Sequence, residues 1–194
     1  LYTYASDEFM GREAGTEGEI TAINYLKSQY ESIGIKGGMP NGDYFMPMTV
    51  NSYRENRSIE CSNVLAFIKG STYPDEVLII TAHLDHIGIE NDGQVNNGAD
   101  DDGSGSVAIL EIAEAFQKAV KDNNRPKRSV LFLHVTAEEK GLLGSKYYTD
   151  NPVYPLENTI ANLNIDMIGR IDNLHLDNPN YIYLIGSDLS LIHI

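Results

Sequence analysis

The sequence is short of cysteine, of basic residues and of long apolar runs. Cys61 is its one cysteine, which excludes an intrachain disulfide. Lysine and arginine number 14 against 28 acidic residues, a formal charge of −14. A nucleic-acid surface needs a basic footprint, so nucleic acid is excluded as a partner, and an anionic membrane is disfavoured by the same charge. No apolar run reaches the length of a membrane span, and no signal peptide is recognisable within the given residues. The chain opens at Leu1 rather than methionine, so a targeting segment ahead of it stays open. Repeats, low-complexity tracts and interdomain linkers are missing too.

What is present is globular. The 194 residues are 42% apolar and 22% charged, enough for one domain, 1–194, with a sizeable core. Thr16–Ile33 reads as an amphipathic helix, with Ile20, Ile23, Leu26, Tyr30 and Ile33 at three-to-four spacing. Thr16 and Glu19 have capping-box spacing, and Gly34 is a natural C-cap. Strands are expected at Tyr44–Val50, an edge because of Pro47, and at Asn63–Lys69, Val77–Ala82, Ser129–Thr136, Thr159–Ile165 and Tyr181–Ile185. Helices are expected at Ser104–Val120 and Leu142–Tyr148. Strands alternating with helices predict an α/β fold with a largely parallel sheet.

The chemistry gathers where apolar strands end. The run Val77–Ala82 leads into His83 and Asp85, and alternate residues at a strand end can face one side. That allows a carboxylate to hold the second ring nitrogen of a ligating histidine, though a buried His–Asp pair fits the same spacing. His86 can be a second ligand, but its direction differs from that of His83, and packing beside the site is expected. Asp100, Asp101 and Asp102 enter the Ser104 helix. One aspartate suffices for a cap, whereas three in a row repel unless a cation is present. Glu138 and Glu139 follow the Ser129–Thr136 strand, where one can bind a metal while the other handles a proton. Asp166 follows the strand Thr159–Ile165 and makes a third strand ending in a carboxylate. His134, inside an apolar strand, reads as a satisfied core histidine, and His175 as a loop residue. Three strands converging on one oxygen- and nitrogen-rich crevice point to a di-metal hydrolase site. Metal-held carboxylates would also account for some of the excess acid.

The motifs Ala82–His86 (AHLDH), Gly98–Gly105 (GADDDGSG), Ala137–Ser145 (AEEKGLLGS) and Asn164–Gly169 (NIDMIG) together resemble the co-catalytic di-zinc aminopeptidase family. That group holds secreted bacterial and vacuolar aminopeptidases, with glutamate carboxypeptidase, glutaminyl cyclase and transferrin-receptor relatives. The segment Ala5–Glu19 is also similar to the one preceding the catalytic core in many bacterial members. The resemblance implies a three-layer α/β/α zinc exopeptidase fold with a mixed, largely parallel sheet. It implies two zinc ions: His83 and Asp166 on one, Asp101 bridging both, and Glu139 on the second. Glu138 would be the general base and acid, Asp85 would orient His83, and the Asp101–Asp102 peptide bond would be cis.

The implied activity is that of an aminopeptidase, hydrolysing the N-terminal bond of peptides or proteins through a zinc-activated water. A glutaminyl cyclase and an inactive interaction domain are the other classes such a chain can belong to. A carboxypeptidase would need arginines for a terminal carboxylate, and Arg170 alone decides nothing. The family's second zinc takes a further histidine well downstream. His193 comes too early and lacks the surrounding motif, so the chain is expected to be a piece cut at both ends, its second metal position incomplete. The expected location is secreted or periplasmic.

Overall fold

The computed structural model describes residues 1–53 and 55–186. Two helices follow the periodicity closely: α1 spans Glu17–Ile33 and α2 spans Gly105–Lys121. Gly34 ends α1 at φ 85°, its N–H on the carbonyls of Tyr30 and Glu31. This left-handed cap is one glycine adopts without a Cβ penalty. The capping box does not form. Thr16 Oγ1 donates to the Glu13 carbonyl instead. Glu19 turns inward and accepts from Gly15 N at 2.6 Å, Ser62 N at 3.1 Å and Thr136 Oγ1 at 2.6 Å. A carboxylate with three donors in the interior satisfies more polar groups than a cap at the surface would.

The strands are β1 (Lys36–Gly37), β2 (Phe45–Ser52), β3 (Arg57–Ile68), β4 (Tyr73–His83), β5 (Arg128–Val135) and β6 (Thr159–Asn164). The sheet order is β1-β3-β5-β4-β6, with β2 also on β3. The sheet is mixed. β4 pairs parallel with β5 and β6, while β1, β2 and β5 run antiparallel to β3. Parallel pairing is thus confined to the half that carries the expected site. Pro47 lies in β2, which pairs with β3. The strand expected at Tyr181–Ile185 does not form: among the described residues the segment joins no ladder, and Ile182 and Leu184 are exposed. A strand exists only by pairing, and apolar alternation does not supply a partner.

Side chains alternate between the faces. Ile80 and Ala82 of β4 and Val130 and Phe132 of β5 pack with Leu26 and Tyr30 of α1 and Ile109 and Ala113 of α2. Val77, Ile79, Leu131, Leu133 and Val135 face the other way, toward Tyr148 of α3 (Leu143–Asp150). The result is helix, sheet, helix. His134 sits in the first layer, fully buried, with Nε2 2.7 Å from Tyr30 Oη and Nδ1 3.3 Å from Ser106 Oγ. Burial pushes its pKa down to about 3, so it is a neutral core histidine.

Candidate active site

Because β4, β5 and β6 are parallel neighbours, their carboxyl ends open onto one crevice, the place where ligands gather in α/β sheets. His83 is the last residue of β4 and is buried. Its Nδ1 lies 3.1 Å from the Asp85 carbonyl oxygen and 3.7 Å from Asp85 Oδ1. The hydrogen bond that turns the ring therefore goes to the Asp85 backbone. The Asp85 carboxylate, fully buried, accepts from Glu138 N at 3.1 Å and Glu139 N at 3.3 Å. It fastens the loop after β5 to the loop after β4.

The acidic triplet forms one wide turn, Ala99–Ser104, ahead of α2, and the Asp101–Asp102 peptide bond is cis. Each aspartate faces a different way. Asp100 Oδ1 accepts from Gly169 N at 2.8 Å, and its Oδ2 is 3.3 Å from Arg170 Nε. Asp102 accepts from His83 N, Gly105 N and Met167 N at 3.2, 2.9 and 3.2 Å. Burial carries its pKa up to about 7. Asp101 alone presents its carboxylate to the crevice, with Oδ1 3.0 Å from His83 Nε2. Arg170 thus serves the Asp100 end of this turn.

Arg12 was not legible as part of this site. It is fully buried, with Nε on the Leu84 carbonyl (3.0 Å), Nη1 on Tyr4 O (3.0 Å) and Asn97 O (2.7 Å), and Nη2 on Gly98 O (2.7 Å). Its guanidinium also lies 4.7 Å from the Tyr4 ring centroid. One planar fork joins the residue between His83 and Asp85 to the residues before the aspartate turn. Gly98 is required there: at φ 56° an added Cβ would stand 2.6 Å from Arg12 Nη2 and from the Asp101 carbonyl. A lone Gly-Arg pair in a short aperiodic segment carries no pattern that would reveal this clamp.

Glu138 and Glu139 leave β5 by a tight corner. The Glu138 carbonyl accepts from Gly141 N and Leu142 N at 2.8 and 2.9 Å, and Asn63 Oδ1 holds Thr136 N at 2.9 Å. Glu138 Oε2 and Asp166 Oδ1 each lie 4.0 Å from His83 Nε2. Glu139 points the other way, its Oε1 2.7 Å from His86 Nδ1. A cleft of about 340 Å³ is lined by His83, Glu138 and Asp166 together with Leu142, Tyr148 and Leu156. His175 stands apart, its Nδ1 2.8 Å from Asp172 Oδ1 and its ring stacked on Tyr181. His193 lies outside the described residues.

Among the described residues, two sets of groups have ligand atoms within 4.8 Å of one another: His83, Asp101 and Asp166, and His86, Asp101 and Glu139. Asp101 belongs to both. The electrostatics suit a cation. Burial first, then the neighbouring carboxylates of Asp101 and Asp100, raise the pKa of Asp166. Burial, with the charges of Asp85, Glu139 and Asp166, raises that of Glu138. Burial opposes charge on His83, yet Asp85, Asp102 and Glu138 outweigh it and carry the ring up to about 10. Without an ion, a proton fills the role of the positive charge that these groups call for. Imidazole and carboxylate in this mixture suit zinc and its first-row neighbours.

The profile of peptidase family M28 matches residues 63–180. The chain belongs to peptidase family M28. Leupeptin-inactivating enzyme 1 of Streptomyces exfoliatus is 31% identical over 182 residues, 93% of this chain and 35% of that protein. Rat aminopeptidase NAALADL1 is 33% identical over 135 residues, 68% of the chain and 17% of that protein. Among solved structures, a Zn-dependent exopeptidase from Parabacteroides distasonis aligns with a TM-score of 0.69 at 21% identity, covering 87% of this chain and 60% of that one. Porphyromonas gingivalis glutaminyl cyclase aligns with a TM-score of 0.68 at 20% identity, covering 87% and 60%. The last two show the zinc exopeptidase fold. The chain spans about a sixth to a third of these two curated relatives. In this M28 chain, every candidate metal group and Glu138 fall inside the matched span, whereas Arg12 lies ahead of it.

Proposed function

We propose that the protein acts as a metal-dependent exopeptidase, an aminopeptidase using two zinc ions. His83, Asp101 and Asp166 would hold one ion, and Asp101 with Glu139 the second. Bound there, zinc would supply Lewis acidity to a water molecule and to a scissile carbonyl. Glu138 would take the proton of the attacking water and pass it to the leaving amine. Its pKa is raised by burial and by the neighbouring carboxylates, the direction that suits a group taking up and passing on a proton. Asp85 would keep Glu138 in reach by holding its backbone N–H. The crowded carboxylates would attract the free ammonium group of a peptide N-terminus, which favours exopeptidase action.

The observation that carries this reading is the sharing of Asp101 between two ligand sets at the ends of parallel strands. Peptides with free and with acetylated N-termini, incubated with the zinc-loaded protein, test it. Release of N-terminal amino acids from the free peptides alone is expected. Pyroglutamate formation from an N-terminal glutamine peptide would favour a cyclase instead, and cleavage of neither would leave an interaction domain.

A further inference from the structure

His86 is the histidine of the AHLDH stretch for which the proposed chemistry has no use, yet both its backbone and its ring have partners. Its backbone N–H donates to the Arg12 carbonyl at 3.3 Å, and it bridges to Glu13 in the N-terminal segment. Its side chain is 14% exposed and that of Glu139 20%. An ionised carboxylate only accepts, so the 2.7 Å contact from His86 Nδ1 to Glu139 Oε1 places the ring proton on Nδ1.

We propose that His86 is a positioning residue for Glu139, donating Nδ1–H to Oε1 so that Oε2 is the oxygen turned toward Asp101 and a metal ion. The inference rests on the metal reading of the site given above. Two observations favour it over ligation through Nδ1 of His86. The nitrogen nearest Glu139 is engaged at hydrogen-bond distance and cannot donate a proton and bind an ion at once. The backbone of His86 is also held from outside, by Arg12 and Glu13, as groups behind a metal ligand commonly are. Donation from Nδ1 selects Oε1, so the imidazole fixes which oxygen faces inward.

Zinc titration calorimetry on the wild-type protein and on His86→Ala, His86→Asn and His86→Gln tests the assignment, with circular dichroism verifying the fold of each. An asparagine amide nitrogen occupies the place of Nδ1, and a glutamine amide nitrogen the place of Nε2. His86→Ala is expected to weaken the Asp101–Glu139 position about 10–100-fold and to leave the His83 position unchanged. His86→Asn is expected to recover most of that loss, and His86→Gln little. X-ray absorption of the loaded wild type and His86→Asn should give the same number of nitrogen ligands. Unchanged affinity in His86→Ala, rescue by glutamine rather than asparagine, or loss of a nitrogen ligand in His86→Asn would each overturn the proposal. A wild type that binds no zinc would overturn the metal reading itself.

Discussion

The Asp85 carboxylate accepts the Glu138 backbone N–H at 3.1 Å. Its other oxygen takes the Glu139 N–H at 3.3 Å, and its backbone carbonyl faces His83 Nδ1. One fully buried residue therefore sets the angle of an imidazole and the path of two glutamates. Asp85→Asn keeps the size but turns an NH2 group toward one of the two donors. It should cost about 1–3 kcal/mol in urea unfolding and weaken zinc binding in the same preparation. Wild-type values for both would show that the loops are held by other contacts.

Glu138 is the group whose removal should separate chemistry from binding. Glu138→Gln leaves His83, Asp101, Glu139 and Asp166 in place, so zinc content by elemental analysis should match the wild type. Turnover of an aminoacyl anilide should fall about 10²–10⁴-fold, the usual contribution of a positioned base. Loss of zinc in this variant would mean that Glu138 ligates rather than transfers protons.

Arg12 joins the two halves of the crevice through the carbonyls of Leu84 and Gly98. Arg12→Met leaves these buried acceptors without a donor and should cost about 3 kcal/mol. Arg12→Lys should recover only part of it, since one ammonium cannot span what a planar fork does. Chemical denaturation of the three proteins measures the difference. A loss in Arg12→Met too small to resolve would contradict the clamp.

The neutral His134 gives a pH dependence of known sign. Its folded pKa, about 3, lies below the ordinary 6.5 because the ring is buried. Below about pH 6.5 the unfolded chain takes up a proton that the folded chain does not, so stability falls as pH falls toward 3. Between about pH 7 and about pH 5 this group alone should remove about 2 kcal/mol. His134→Gln, measured by urea unfolding in chelator at both pH values, should lack that share of the loss. An acid limb as steep as that of the wild type would contradict the assignment.

Much of this was legible in the sequence, for reasons that differ by element. α1 and α2 show in the 3.6-residue period because each buries one stripe, and β5 shows as an unbroken apolar run because both its faces are covered. The metal groups show because carboxylates and histidine at the ends of such strands need partners. What stayed hidden depends on three-dimensional neighbours. Glu19 has the spacing of a cap, yet it is drawn inward by Ser62 of β3 and Thr136 just past β5. Arg12 acts through carbonyls some seventy to ninety residues away, and carbonyls carry no residue identity. Tyr181–Ile185 has strand composition, but pairing is decided by a neighbour, not by the segment. The division of work within Asp100–Asp102 is set by the turn, which points one carboxylate at the crevice and two at backbone donors.

The most direct test of the whole account is metal removal followed by zinc return, read as amino-acid release from a peptide with a free N-terminus. Activity should vanish on exhaustive chelation, come back as zinc is restored, and fail to come back in Glu138→Gln at the same zinc content. Release that survives chelation undiminished, or that zinc restores equally in Glu138→Gln, would contradict it.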